Sequence, residues 1–320
     1  MIGIKEVFDA KRKISAFIRE TPLLHASSID AHLGFPLYLK AECFQKTGSF
    51  KIRGAANFLL QRQYEGQQIR GVVAASSGNH GQAVAYVAGQ MGIPATIVMP
   101  EGATPAKVKA AIGYGAVVEF CGTTSSERLE RAKEIAQSSG YIEVPPYDHP
   151  DIIAGQGTLG VELIEQNPHI QAVFVPIGGG GLISGTALAI KELRPDIKVY
   201  GVEPVGSNSM YVSMKSQKRT KLESTNSIAD GLLTLMPGEI TYSYVSEYVD
   251  DIVLVEEEEI KDAMRVCLER YKVMTEPSGA VSMAAALKTR DMGIGCIAAV
   301  LSGGNTDLAR LGEYLKQRCD

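Results

Sequence analysis

Ala172-Val-Phe-Val-Pro-Ile177 runs into Gly178-Gly-Gly-Gly181, and Leu182-Ile-Ser-Gly-Thr-Ala-Leu-Ala-Ile-Lys-Glu-Leu193 follows. The first segment is short, β-branched and aromatic, and it stops at glycine, the pattern of a buried strand. The last segment reads as a helix. The four glycines therefore occupy a strand-to-helix turn, where a helix begins with free backbone N–H groups and the positive end of its dipole. Such a turn suits a phosphate or a carboxylate. Each glycine forgoes roughly 0.5–1 kcal/mol relative to alanine in regular structure, so the run forgoes on the order of 2–4 kcal/mol. A tight turn needs one or two glycines. A strand cap accounts for those, and an anion site accounts for the rest.

Strand and helix alternate outward from this unit. Ile4 to Ile18 has helical apolar spacing and is broken by Thr21-Pro22. Pro36 to Glu42 reads as a strand, and a helix opens at Gly48-Ser-Phe-Lys-Ile-Arg-Gly-Ala55 and runs to about Gln63. Strands are expected at Val72 to Ala75, Ala95 to Met99 and Val117 to Phe120, with helices at Asn79 to Met91, Pro105 to Ile112 and Ser125 to Ser138. A helix from Asp151 to Gln166 precedes the glycine unit, and a strand at Lys198 to Glu203 follows it. Residues 205–250 read as short helices and loops. Strands at Ile252 to Val255 and Cys296 to Leu301, a helix after the acidic start Glu256 to Glu259 and a closing helix from Thr306 complete the chain. This alternation specifies an α/β protein with one open parallel sheet or two.

The 320 residues carry a net charge of −4, with 45% hydrophobic and 21% charged residues, an ordinary globular composition. No basic block points to nucleic acid, and no apolar run reaches the length of a membrane span. Met1-Ile-Gly-Ile-Lys-Glu6 lacks the pattern of a signal peptide. The five cysteines, Cys43, Cys121, Cys267, Cys296 and Cys319, form no CxxC pair, so neither a disulfide framework nor a zinc site is favoured. A cytoplasmic protein with free thiols is the simplest reading.

Three expected strands end in similar turns. Val72 to Ala75 enters Ser76-Ser-Gly-Asn-His-Gly81, Ala172 to Ile177 enters the glycines, and Cys296 to Leu301 enters Ser302-Gly-Gly-Asn305. Unrelated glycine loops are common at strand ends, but three such turns suggest one ligand with several hydrogen-bonding groups. No GxxxxGK[ST] occurs. A dinucleotide site has Glu203 at about the right distance to hold a ribose, yet GxGxxG fails: its last position is Ile183 counted from Gly178, and Ser184 counted from Gly179. A nicotinamide oxidoreductase stays as a remote alternative. Lys51 lies between Phe50 and Ile52 near a helix start, where the helix dipole disfavours a cation. An isolated lysine is usually solvated. Held in a partly apolar site, its amine would lose its proton more readily and act as nucleophile or base. A lysine imine combined with a phosphate cradle is the signature of pyridoxal phosphate chemistry.

These stretches, together with Pro145-Pro-Tyr-Asp148, Ile152-Ile-Ala-Gly-Gln-Gly-Thr158 and Glu276-Pro-Ser-Gly279, resemble the threonine dehydratase and serine racemase family of pyridoxal phosphate enzymes. The match runs from about Thr21 to Asp307. Arg53-Gly54-Ala55 favours this branch over the cysteine synthases. The resemblance implies a tryptophan-synthase-β-like fold (type II of the pyridoxal phosphate enzymes) with two open twisted parallel-sheet domains. Residues 1–47 and 148–320 would form the large, cofactor-binding domain, and 48–147 the small, substrate-side domain. Lys51 would carry the cofactor, Phe50 would lie against its ring, and Asn79 would bond its 3-oxygen. Gly178, Gly179, Gly180, Gly181 and Leu182 would hold the phosphate, Ser302 would face the pyridine nitrogen, and Glu276 would lie near the cofactor. Ser76, Asn79 and His80 would grip the substrate carboxylate. Arg128, Tyr147 and Thr234 match positions near the substrate side chain, with solvated or packing roles as the alternative. His80 and Glu276 also suit ordinary helix-start roles.

The implied reaction is β-elimination of water from a 3-hydroxy amino acid of the threonine and serine class, giving a 2-oxo acid and ammonia. A neutral Ser302 does not hold a proton on the pyridine nitrogen, which favours prompt loss of a β-leaving group. Lys51, freed close to the substrate Cα–H, is a positioned base worth typically 10²–10⁴-fold. The alternatives within the family are a serine racemase with side dehydratase activity and a 3-hydroxyaspartate dehydratase. Outside it stands a non-catalytic amino-acid-binding protein. Ser77 is a second catalytic candidate, as proton donor on the face opposite Lys51, or else a cap for the helix near Asn79. Related enzymes also suggest a weak Mg²⁺ or Ca²⁺ site at Glu203, the Ser207 carbonyl and Ser209, with one carboxylate fewer than usual. A homo-oligomer, dimer or tetramer, is expected. The chain ends at Asp320, so the C-terminal regulatory domain of biosynthetic dehydratases is expected to be absent.

Overall fold

In the computed structural model, residues 1–76, 78–289 and 293–316 are described. The strands are β1 (Leu23–His25), β2 (Leu37–Ala41), β3 (Val72–Ala75), β4 (Ala95–Met99), β5 (Val117–Phe120), β6 (Ile142–Glu143), β7 (Ala172–Pro176), β8 (Lys198–Pro204), β9 (Asp251–Val255) and β10 (Ile297–Leu301). The helices are α1 (Ile4–Ile14), α2 (Ser27–Leu33), α3 (Lys51–Tyr64), α4 (Asn79–Gln90), α5 (Pro105–Gly113), α6 (Ser125–Ser139) and α7 (Pro150–Gln166). They continue with α8 (Gly181–Leu193), α9 (Ser209–Lys215), α10 (Glu239–Tyr248), α11 (Glu257–Val266), α12 (Pro277–Leu287) and α13 (Leu308–Tyr314).

Two separate sheets form, one of the two arrangements that the alternation of elements allows. The larger runs β1-β2-β10-β7-β8-β9 and the smaller β5-β4-β3-β6. Every residue of β7 and β10 is buried. Strands covered on both faces read as continuous apolar runs, which is why these two were legible. Alternate side chains feed opposite cores: Phe174 packs with Leu37, Leu39 and α12 on one face, and Val173 and Val175 pack with Ile183 and Ala187 of α8 on the other. The small sheet does the same, with Val72 and Ala74 on one side and Val73 on the other.

One edge departs from the parallel expectation. β1 runs antiparallel to β2, with Leu24 opposite Leu39. The chain reverses through α2, closed by Gly34 at φ 87°, with no full crossover. Three residues carry no measurable period, so this strand has no signal in the sequence. Residues 205–250 contain α9, a single turn at Asp230–Leu232 and α10. Strand order places the site. β7, β8 and β9 succeed one another, and β10 then returns to the other side of β7. Between β7 and β10 lies the switch point, and ligands of open parallel sheets bind at the carboxyl ends of the strands there.

Candidate active site

All three turns identified from the sequence reach one cavity of about 240 Å³. Two of them, after β7 and β10, flank the switch point of the large sheet. The third, after β3, comes from the small sheet.

The glycine turn is both a cradle and a packed surface. α8 starts at Gly181, and Gly180 before it has φ 95°, a left-handed conformation that glycine adopts without strain. A Cβ added at Gly179 would come within 2.3 Å of the Tyr147 ring. The opening N–H groups of α8 have no carbonyl of their own helix to meet, and together with Leu182 they line the cavity. The Gly179 carbonyl accepts from Thr241 Oγ1 at 2.7 Å, which fixes the turn from behind.

Lys51 is the first residue of α3. Its segment is laced to the turn after β10: Phe50 N–H donates to the Ser302 carbonyl at 3.0 Å, and Gly304 N–H to the Gly48 carbonyl at 2.9 Å. Lys51 Nζ donates to the Pro146 carbonyl at 2.7 Å and lies 5.3 Å from the centre of the Phe50 ring. No carboxylate pairs with it among the described residues. Burial alone lowers its pKa from 10.5 to about 8.

Asn79 opens α4. Its Nδ2 donates to Glu276 Oε1 at 2.6 Å and its Oδ1 accepts from Asn305 Nδ2 at 2.7 Å, so the small-sheet turn is tied to the large domain's β10 turn and α12. Burial, and then the charge of Asp230, push the Glu276 carboxyl up to about 7 against the Asn79 hydrogen bond. Ser302 lines the cavity and its Oγ donates to the Ser278 carbonyl at 3.3 Å. His80 is buried, and its Nε2–H donates to the Val144 carbonyl at 2.8 Å. Burial and the Lys51 charge push its pKa down to about 3, so the ring is neutral. One of its nitrogens is thus committed to the protein, in keeping with the helix-start alternative.

Ser76, Arg128, Tyr147 and Thr234 also line the cavity. Tyr147 lies across Gly179, a packing contact. Arg128 donates to Ser125 Oγ at 3.1 Å and pairs with no carboxylate among the described residues. Ser77 lies outside the described residues. Glu203 is buried at the end of β8. Its Oε1 accepts the amide of Met210 at 3.0 Å and its Oε2 that of Tyr211 at 2.7 Å, so it caps α9. Ser207 Oγ donates to the Leu232 carbonyl at 2.9 Å. Both Glu203 oxygens are therefore engaged, and no cluster of three Asp, Glu, His or Cys side chains able to hold a metal occurs among the described residues.

Sequence reasoning missed Lys107, Asp230 and Ser278, which line the same cavity. Lys107 Nζ meets Asp230 Oδ2 at 2.8 Å. Asp230 had no signal, because it belongs to a single 3₁₀ turn in the aperiodic segment. Lys107 left a faint one: a lysine in the first turn of a helix, at the end where a cation is disfavoured.

A glycine turn at a sheet's switch point, sharing its cavity with a part-buried amine that has no acid partner among the described residues, suits an enzyme whose cofactor carries both a phosphate and a carbonyl. The chain belongs to the pyridoxal-phosphate dependent enzyme family, whose model matches residues 14–303. It is 43% identical to an L-threonine ammonia-lyase of Thermotoga maritima over 99% of this chain and 79% of that protein. It is 40% identical to an L-threo-3-hydroxyaspartate ammonia-lyase of Saccharomyces cerevisiae, over 98% of this chain and 97% of that one. The solved structure of maize serine racemase superposes with a TM-score of 0.93 at 40% identity, covering 97% of this chain and 96% of that one. The fold is thus that of type II pyridoxal phosphate enzymes, and pyridoxal phosphate is the cofactor.

Proposed function

We propose that the protein is an ammonia-lyase for 3-hydroxy amino acids of the threonine and serine class. Water leaves from Cα–H and Cβ–OH, and a second water hydrolyses the resulting enamine to a 2-oxo acid and ammonia. Pyridoxal phosphate, when bound, supplies the electron-withdrawing ring that acidifies the substrate's Cα–H. The observation that carries this reading is Lys51: an amine with a pKa of about 8, without an acid partner among the described residues, in the cavity that the glycine turn also lines.

Lys51 Nζ would hold the cofactor and, once released from it, would take the Cα proton, since an amine near neutral pKa is an effective base at physiological pH. Gly178 to Gly181 and Leu182 bind the phosphate through backbone N–H groups. Phe50 and Asn79 orient the ring. Ser302, a neutral hydroxyl, would not hold a proton on the pyridine nitrogen as a carboxylate would, which would favour elimination. Glu276 orients Asn79 through their hydrogen bond. Ser76 and Asn79 bind the substrate carboxylate, with His80 holding that turn through Val144. Arg128, Tyr147 and Thr234 surround the substrate side chain.

No helix among the described residues is long and apolar enough to cross a membrane. A cytoplasmic location and a dimer or tetramer complete the proposal, with a divalent cation left out of it. The test is release of 2-oxo acid and ammonia from L-threonine, L-serine, D-serine and 3-hydroxyaspartate by the cofactor-loaded protein. Lys51→Ala should lower turnover at least 10²–10⁴-fold. No keto acid from any of the four would overturn the reading.

A further inference from the structure

Thr241, buried in the first turn of α10, donates from Oγ1 to the Gly179 carbonyl at 2.7 Å. The Gly179–Gly180 peptide is trans, so its carbonyl and its N–H point in opposite directions. With the carbonyl turned outward onto Thr241, the Gly180 N–H faces inward, and Gly180 lines the cavity. Gly180 is buried, and no protein group among the described residues accepts its N–H. A buried donor without a partner is costly, and at the start of a helix it marks the place of an anionic acceptor.

The glycines alone do not fix that orientation. The peptide lies between two residues that tolerate both signs of φ, so its plane can turn over at little cost. Turned over, it would present the Gly179 oxygen to the cavity and repel an anion. Thr241 opposes this and is itself held on both sides: its N–H donates to Asp148 Oδ1 at 3.1 Å, and its carbonyl accepts from Ser184 Oγ of α8 at 3.2 Å. Asp148 also accepts the amides of Glu239 and Ile240 at 2.9 Å, so one carboxylate fixes the first turn of α10. Asp148 follows Tyr147, which lies across Gly179.

We propose that Thr241 is a positioning residue for the cofactor phosphate: its hydroxyl sets the Gly179–Gly180 peptide so that the Gly180 N–H donates to the phosphate. Thr241 stays outside the cavity and acts only through that peptide. The proposal rests on the reading of the glycine turn as the phosphate site, and it is independent of which hydroxy amino acid reacts.

The test measures the affinity of the full-length protein for pyridoxal phosphate and for pyridoxal, which lacks the phosphate. Their ratio isolates the phosphate's share, and a merely structural role for Thr241 would weaken both ligands alike. Thr241→Val, which keeps the shape and removes the hydroxyl, should lower the ratio about tenfold, because a charge-assisted donor is lost. Thr241→Ser, which keeps the hydroxyl, should bind with nearly the parent's ratio. If Thr241→Val does not fold, the parent decides: saturating inorganic phosphate should slow hydrogen exchange at the Gly180 amide, and an unchanged rate there would overturn the proposal. A preference for the phosphate that is equal in the parent and in Thr241→Val overturns the proposal alone. A parent that binds the two aldehydes equally overturns the phosphate reading of the glycine turn, and the proposal with it.

Discussion

Lys51 shows how one residue's chemistry is set by its surroundings. Its pKa falls from 10.5 to about 8 because burial penalises the ammonium. For a cation with a depressed folded value, the unfolded chain binds the proton more tightly, so folding stability rises with pH across the window from about 8 to 10.5. In the cofactor-free protein, acetylation of Lys51 followed by peptide mapping should reach half its maximal rate near pH 8, while exposed lysines respond near their ordinary value. A Lys51 profile that tracks the exposed lysines would show that the amine is solvated. This residue was legible from its apolar neighbours and its place near a helix start. Asp230 and Lys107 were not, because their meeting joins residues 123 positions apart through two sheets, and nothing local marks it.

Among the elements, α3 carries the most, because it presents Lys51 and is anchored two residues later. Arg53 is fully buried, and all five of its N–H donors are used on Glu42, Glu162 and Thr158. Lys40 completes the set, with Nζ 2.6 Å from Glu162 and further bonds to the Thr21 carbonyl and Gln166. Two cations and two anions thus lock α3, β2, α7 and the turn at Glu42–Phe44 together. Removing one member leaves buried charge without a partner. Arg53→Met should lose about 3–5 kcal/mol of stability, and replacing Lys40, Glu42, Arg53 and Glu162 together by apolar residues of similar volume should recover much of it. Denaturant unfolding distinguishes the two: equal losses in both variants would mean that packing, not charge pairing, sets the cost. Elements were legible where one face alternates or a buried run ends at glycine, as for β3, β4 and β7. α12 was not, because Pro277-Ser-Gly-Ala-Val-Ser-Met-Ala-Ala-Ala-Leu287 is buried almost all round and shows no amphipathic period.

At the scale of the molecule, the two sheets meet at the cavity, and the chain passes between them twice, before α3 and before α7. Each crossing is fastened to the large sheet. Phe50 and Gly48 bond the turn after β10, and at the second crossing Asp148 accepts the amides of Glu239, Ile240 and Thr241 at the start of α10. We propose the division into a small domain, 48–147, and a large one, 1–47 with 148–320. α1 qualifies it, since Val7 packs in the cluster with Ile153 and Leu188 while Ile14 packs in the core of the small sheet. A ligand that touches the glycine turn, Lys51 and the Ser76 to Asn79 turn together bridges both domains, so its binding should stabilise the two together. At a hundredfold excess over its Kd, such a ligand adds about 2.7 kcal/mol, or about 4 °C in Tm for a chain of this size. Because Arg53 of α3 is bonded to Glu42 and Glu162 of the large domain and α1 packs in both cores, the cofactor-free protein should melt in one step, and the loaded protein in one step at higher temperature. Inorganic phosphate should raise Tm through the glycine turn alone. Gly179→Ala should lose that response, because its Cβ would force the Tyr147 ring away from the turn. A single transition unchanged by cofactor, or a Gly179→Ala variant that responds to phosphate as the parent does, would mean that the glycine turn does not hold the ligand that joins the two sheets.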